Sequence, residues 1–308
     1  MRYVSMGSSG MQVSAVGLGC NELGRSVGLD RARPMVTAAL DAGVTLFDTA
    51  DVYGDSESVL GECLRGQREN VVLATKFGHQ KLAMAYGPAA GAKGGRAYIR
   101  RAVEASLRRL RTDYIDLYQI HTPDPHTPVE ETLAALTELV REGKVRYVGS
   151  SNFAGWQIAE AACTARSQGF EPFVSAQNHW SLLNRDVEKE VLPAARRFGL
   201  GVLPYFPLAN GLLTGKVRRG RALPEGTRIK ESAYQVTEAR LDTVEALTAW
   251  GAKNGRSLLE IAIGCLAAFP GCTSVIAGAT NPDQVRANAA AGQWIPTAQE
   301  MSEILELL

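Results

Sequence analysis

The chain has 308 residues, 45 % hydrophobic and 21 % charged, with a formal net charge of +1. That balance supports an ordinary buried core and excludes wholesale disorder, and near-neutrality removes the electrostatic case for a nucleic-acid or acidic-membrane partner. Five scattered cysteines without a Cys-x-x-Cys pair suggest reduced thiols in a cytoplasmic protein, not a disulfide framework or a metal site. The first residues lack the apolar run of a signal peptide. The longest apolar stretch, 258–269, contains Glu260 and is too short to span a bilayer.

In chain order, 2–6 and 11–13 flank Gly7-Ser8-Ser9-Gly10, a turn signal that predicts a small hairpin. Eight apolar, β-branched runs follow, at 13–18, 44–48, 71–76, 115–121, 145–150, 174–178, 201–204 and 274–277. They lack clean polar alternation, which fits strands covered on both faces of a parallel sheet. Amphipathic helical stretches lie between them. Ile99, Val103, Leu107 and Leu110 share one helical face, with Arg100, Glu104 and Arg108 on another. Thr127-Pro128-Val129-Glu130 predicts a capping box with proline at the first helical position. Val129, Leu133, Leu136 and Val140 then form an apolar stripe that Gly143 terminates.

Eight βα repeats without a Pro/Gly/Ser-rich linker predict closure into one (β/α)₈ barrel, with residues 1–308 forming a single domain. Two connections, 78–97 and 206–236, are longer than joining requires and are expected to be lids or specificity loops. The open-sheet alternative would need a dinucleotide fingerprint. Gly17-Leu18-Gly19-Cys20-Asn21-Glu22 begins like one but has Glu22 where the third glycine belongs.

The unusual polar residues fall at strand ends. Asp48 ends the second run, with Tyr53 five residues on; Lys76 ends the third and His121 the fourth. Asn152 and Gln177 close the fifth and sixth, and Tyr205 follows the seventh. In a parallel barrel these ends meet at one face, where barrel enzymes keep their active sites. Each residue alone also has a structural explanation. Asp48 suits a turn cap, and Lys76 suits a barrel salt bridge or the Schiff base of an aldolase. His121 suits a satisfied core position or, with His126, a poor metal pair. Their convergence favours chemistry. A tyrosine of reference pKa ~10 becomes a better acid beside a buried ammonium, which a carboxylate keeps charged. A neutral histidine can orient a carbonyl. Because no side chain supplies hydride, a cofactor is required.

Several segments resemble the aldo-keto reductases over essentially the whole chain, most closely bacterial members and the potassium-channel β-subunit branch. They are residues 43–50 with Tyr53-Gly54, Leu73-Ala74-Thr75-Lys76, 113–121, Gly149-Ser150-Ser151-Asn152-Phe153, Gln177-Asn178, Tyr205-Phe206-Pro207-Leu208 and 211–216. The resemblance implies Tyr53 as general acid in a tetrad with Asp48, Lys76 and His121. It implies that Ser151, Asn152 and Gln177 hold a nicotinamide carboxamide, that Tyr205 stacks on the ring, and that Gly19 and Cys20 lie beside it. Leu208, Gly211, Leu213 and Lys216 would follow the pyrophosphate, and Gly278, Thr280, Gln284 and Asn288 the adenosine.

There are two departures. Phe206 stands where the family often has serine, and 276–284 lacks the usual lysine or arginine for a 2′-phosphate. NADP is still the expected cofactor, with NAD as the alternative, its phosphate held by a remote cation or the helix start after Asn281. The expected reaction is reversible reduction of an aldehyde or ketone, such as a sugar or small metabolite, with no metal. A cofactor-bound accessory or sensor protein and a Lys76 aldolase are the alternatives. Asn21, Tyr86, Trp180 and residues 78–97 are candidates for lining the substrate pocket.

Overall fold

In the computed structural model, residues 1–80, 86–220 and 236–308 are described. Parts of both long connections, 81–85 within 78–97 and 221–235 within 206–236, lie outside the described residues. The predicted hairpin forms from β1 (Tyr3–Ser5) and β2 (Gln12–Ser14), antiparallel with Tyr3 opposite Ser14. The expected single strand over 13–18 does not. The chain leaves the hairpin at Ala15, and the first barrel strand is β3 (Val16–Gly19). Ser14 makes the break tolerable: its hydroxyl donates to Val16 O at 2.7 Å and accepts the Thr45 N–H at 2.9 Å.

Seven further strands follow: β4 (Leu46–Asp48), β5 (Val72–Phe77), β6 (Ile115–Ile120), β7 (Val145–Ser151), β8 (Ser175–His179), β9 (Gly201–Tyr205) and β10 (Val275–Gly278). Each of these seven begins and ends within two residues of its expected run. All pair in parallel with their neighbours, and β10 returns to β3 with Gly278 opposite Gly19. The sheet is therefore a closed (β/α)₈ barrel, and the open dinucleotide-binding sheet is excluded.

Around it run α1 (Leu29–Asp41), α2 (Ser56–Cys63), α3 (Arg96–Leu110), α4 (Val129–Arg141), α5 (Gly155–Gln168), α6 (Val191–Phe198), α7 (Glu238–Asn254), α8 (Leu258–Ala268), α9 (Pro282–Ala291) and α10 (Ala298–Leu305). The stripe Ile99, Val103, Leu107 and Leu110 is buried along α3, as its period predicts. Helix α4 stops before Gly143, whose φ of +76° favours glycine. The capping box predicted at its start is absent. Thr127 donates its hydroxyl to Asp124 at 2.9 Å, and α4 begins after Pro128 with no side-chain cap. Asp124 also accepts the N–H groups of Gly94 and His126, so its carboxylate is the stronger competitor for the hydroxyl.

Met6, Met11 and Val13 of the hairpin join Leu46, Ala74, Leu117, Leu203 and Ile276 in one apolar cluster. The hairpin thus plugs the end of the barrel where the strands begin, leaving the opposite end for polar groups. Outside the barrel, α2 and α3 approach so closely at Gly61 that an added Cβ would lie 2.5–2.8 Å from the Leu110 main chain. Main chain cannot swing aside as a side-chain tip can. Gly61→Ala is therefore expected to cost about 1–3 kcal/mol, seen as a lower urea midpoint with an unchanged slope. A wild-type midpoint would show that the two helices separate freely.

Candidate active site

Asp48 is the last residue of β4, Lys76 the penultimate residue of β5, and His121 follows β6 directly. Parallel pairing brings these ends together. The Lys76 side chain is wholly buried and Asp48 nearly so. An ammonium has three donors, and each finds an acceptor: Asp48 Oδ1 at 2.8 Å, Asp48 Oδ2 at 2.6 Å and Thr49 O at 2.8 Å. The turn after β4 is also clasped through its backbone, where Asp51 N–H donates to Lys76 O at 3.0 Å. It delivers Tyr53 with its ring centroid 5.3 Å from Lys76 Nζ and 5.7 Å, edge-on, from the His121 ring.

Burial in this site controls protonation. It opposes the charge on Lys76, yet Asp48, Tyr53 and Cys20 together raise that lysine's pKa, so the ammonium persists. Burial raises the Tyr53 pKa above its ordinary value of 10.0 and outweighs the lowering by Lys76. The expected assistance from Lys76 is present, but the phenol remains firmly protonated. His121 is pushed down to about 2, first by burial and then by the charges of Lys76 and His79. It is neutral, and its Nδ1 is buried without a hydrogen-bond partner among the described residues.

Beside this group, Gln177 donates to Asp48 Oδ1 at 3.0 Å. Asn152 takes a left-handed φ of +61°. Its amide nitrogen donates to His121 O and Ser151 Oγ, and its Oδ1 accepts the Tyr205 hydroxyl at 2.8 Å. Ser151, Asn152, Gln177 and Tyr205 thus form one connected polar wall next to the Asp48–Lys76 pair. His179, which sequence reasoning passed over, stacks on Tyr205 with centroids 5.5 Å apart.

After Tyr205 the backbone is unusual. Phe206, Ala209 and Asn210 have φ of 52°, 46° and 58°, and Gly211 has 107°. Leu208 is half-buried and Lys216 exposed, while Leu213 is fully buried and spends its N–H on Leu208 O at 3.1 Å. Gly19 lies opposite both Asp48 and Gly278 in the sheet, and Cys20 is buried with its N–H on Asp48 O at 2.8 Å.

Past β10, Gln284 Oε1 accepts the Thr280 N–H at 2.8 Å, and Asn288 donates to Gly278 O at 3.3 Å. Asn281 caps α9 by accepting the Gln284 N–H at 2.9 Å. A positive charge does approach 276–284 from elsewhere in the chain. Arg31 of α1 donates to Thr280 O at 3.1 Å across 249 residues of sequence. Only the α1–α9 packing reveals it; the sequence carries no local signal.

Two expected pocket residues are placed differently. Trp180 is fully buried, donates to Glu188 at 3.0 Å and packs on Phe269, so it is a core residue. Tyr86 turns its hydroxyl to Asp51 Oδ2 at 3.2 Å. His79, from the same connection, reaches His121 instead, with ring centroids 4.6 Å apart. Among the described residues, no helix is long and apolar enough to cross a membrane.

A closed parallel barrel with a buried Lys–Asp pair, a tyrosine and a neutral histidine at the strand ends places the chain in a definite class. Residues 15–308 match the aldo/keto reductase family, and the chain belongs to it. Among curated proteins it is similar to "Uncharacterized oxidoreductase YrpG" of Bacillus subtilis (strain 168). The two are 39% identical over 296 residues, covering 93% of this chain and 89% of the relative.

The depressed His121 pKa has a consequence for stability. The folded state refuses a proton that the unfolded histidine accepts below ~6.5. Stability is therefore undiminished above that value and falls as pH drops below it, by about 1.4 kcal/mol per unit. His121→Gln should remove this share, so urea unfolding at about pH 5 should show the wild type losing ~2 kcal/mol more than the variant relative to neutral pH. Equal losses would mean that His121 titrates normally.

Proposed function

We propose that the protein is a nicotinamide-dependent oxidoreductase that reversibly reduces an aldehyde or ketone to an alcohol, with Tyr53 as general acid. The observation that carries this reading is the buried Lys76 ammonium, fully engaged by Asp48 and Thr49 and set against Tyr53 beside a neutral His121. Lys76 lowers the cost of forming a phenolate at Tyr53 Oη, Asp48 keeps Lys76 charged, and His121 orients the carbonyl. A Schiff-base nucleophile must be a neutral, approachable amine. Lys76 is charged, enclosed and hydrogen-bonded through all three donors, which weighs against the aldolase reading.

The residues fit a nicotinamide cofactor, which when bound supplies or accepts the hydride. Ser151, Asn152 and Gln177 offer amide and hydroxyl groups to its carboxamide beside the catalytic pair, and Tyr205 offers a ring face. Positive φ at Phe206, Ala209, Asn210 and Gly211 coils the chain after Tyr205 into a tight turn, and the exposed Lys216 beyond it offers a cation to an anion. That cation supports placing the pyrophosphate along Leu208, Gly211, Leu213 and Lys216, with Leu213 holding the turn through its buried side chain. Gly19 and Cys20 would flank the nicotinamide, and Gly278, Thr280, Gln284 and Asn288 the adenosine. Arg31 beside Thr280 supports NADP over NAD. We read residues 1–308 as one domain, acting in the cytoplasm on a small carbonyl substrate.

A nicotinamide-absorbance assay with both cofactors against a carbonyl panel tests the reaction. Tyr53→Phe should lower kcat by roughly 10²–10⁴ while hardly changing cofactor affinity; near-normal turnover would remove Tyr53 from the role. The cofactor preference has its own test. Arg31→Ala should weaken NADPH binding about tenfold, ~1.4 kcal/mol, and leave NADH binding unchanged. The difference should shrink as salt screens an exposed cation. Equal effects on both cofactors would place the 2′-phosphate elsewhere.

A further inference from the structure

A second buried polar group lies behind the Tyr53 turn. Asp51 is 2 % exposed, yet its carboxylate is poorly provided for. Oδ2 accepts the long bond from Tyr86 Oη at 3.2 Å, the carboxylate has some further support from the Val52 N–H, and Oδ1 has no partner among the described residues. Charged neighbours come from two helices. Glu57 of α2 is almost completely buried, accepts the Thr75 hydroxyl at 2.6 Å and pairs with Arg109 of α3 at 2.6 Å. The Tyr118 hydroxyl of β6, also buried, and Tyr98 of α3 complete the surroundings. Lys76 meets Asp51 only through the main chain.

Tyr86 is the cover over this carboxylate. It is half-buried, stacks edge-on against Tyr98 at 5.0 Å, and has its carbonyl held by Arg101 at 2.6 Å. Its outer side lines a surface cavity of about 420 Å³ with Arg100, Arg101, Glu104 and Arg108, so solvent stands just beyond the ring.

We propose that Asp51 and Tyr86 form a proton-operated latch. It holds residues 86–91 against the turn carrying Tyr53 while the Asp51 carboxyl is neutral, and releases them when that carboxyl ionises. A neutral carboxyl tolerates burial beside Glu57, whereas a carboxylate there lacks both a cation of its own and enough donors. Swinging Tyr86 aside admits water to the ion and relieves that cost. Asp51 lies two residues before Tyr53, so the latch bears on the turn that delivers the tyrosine.

The sign follows from linkage. Burial, then Glu57, raises the Asp51 pKa from its ordinary 3.8 to about 7 in the closed state, while an opened, hydrated carboxyl returns to the ordinary range. Below that range the proton is bound in both states and pH has no effect. Above it only the closed state keeps the proton, so opening becomes progressively easier until the closed form also ionises. Between about pH 6 and pH 8 the opening equilibrium should rise about tenfold.

Amide hydrogen exchange on the full-length protein, without cofactor or substrate, measures this independently of turnover. The reporters are residues 86–91, including the Ala90 N–H bonded to Gly87 O at 3.0 Å. Corrected for intrinsic rates, wild-type protection should fall about tenfold across that interval. Asp51→Asn, which imitates the neutral carboxyl, should stay protected throughout. Tyr86→Ala, which removes the cover, should be unprotected throughout. Wild-type protection independent of pH, or a wild-type slope surviving in either variant, would overturn the latch. If Asp51→Asn does not fold, Tyr86→Ala and the wild type still decide it. Because no reaction is involved, failure here leaves the proposed chemistry standing, and the reverse also holds.

Discussion

The constraint on which the site depends is the burial of one ammonium group. Removing a charge from water costs several kcal/mol even after relaxation, and only close, well-aimed acceptors offset it. Lys76 has three acceptors, from Asp48 and Thr49. Asp48 is in turn shared with Gln177 of β8. One charge therefore ties the ends of β4, β5 and β8 together and fixes the turn that delivers Tyr53. The same charge helps keep His121 neutral. Positioning at the mouth thus has one electrostatic origin, while protonation there answers first to burial and then to that charge.

Much of this arrangement is legible before folding is considered. Parallel barrel strands are buried on both faces, so they stand out as apolar runs whose polar final residues are conspicuous: Asp48, Lys76, His121 and Gln177. The break at Ala15 is invisible because Val13 and Val16 are equally strand-like, and the interruption is made by the Ser14 hydroxyl instead of a glycine or proline. The capping box at Thr127 fails for a related reason. Its competitor, Asp124, is organised by Gly94, thirty residues upstream. Local pattern cannot weigh a contact that only the tertiary fold creates. Arg31 at Thr280 is the extreme case.

Aromatic residues illustrate the opposite error. Trp180 follows the polar end of β8 and looks like a pocket wall, but its indole N–H has Glu188 and its ring has Phe269. A tryptophan whose polar edge and faces are already satisfied has little left for a ligand. His179, one position earlier, is only half-buried and meets Tyr205 instead. Adjacent residues at a strand end point to opposite sides, so a one-residue difference separates core from candidate site.

The segment after β9 shows how unfavourable backbone can be retained beside such a site. Left-handed conformations at Phe206, Ala209 and Asn210 cost on the order of 1 kcal/mol each, less for asparagine. Leu212 and Leu213, two and three residues beyond Asn210, are fully buried against Leu241, Leu247 and Ile261 of the helices that follow. Burying two leucines contributes roughly 3–6 kcal/mol, enough to offset the strain locally. The turn therefore keeps its shape without help from a ligand. Its apolar residues face α7 and α8, and its left-handed main chain follows directly from Tyr205, the residue hydrogen-bonded to Asn152. An anion recognised there would meet a backbone already set by the packing of helices outside the barrel, which avoids ordering cost at the moment of binding.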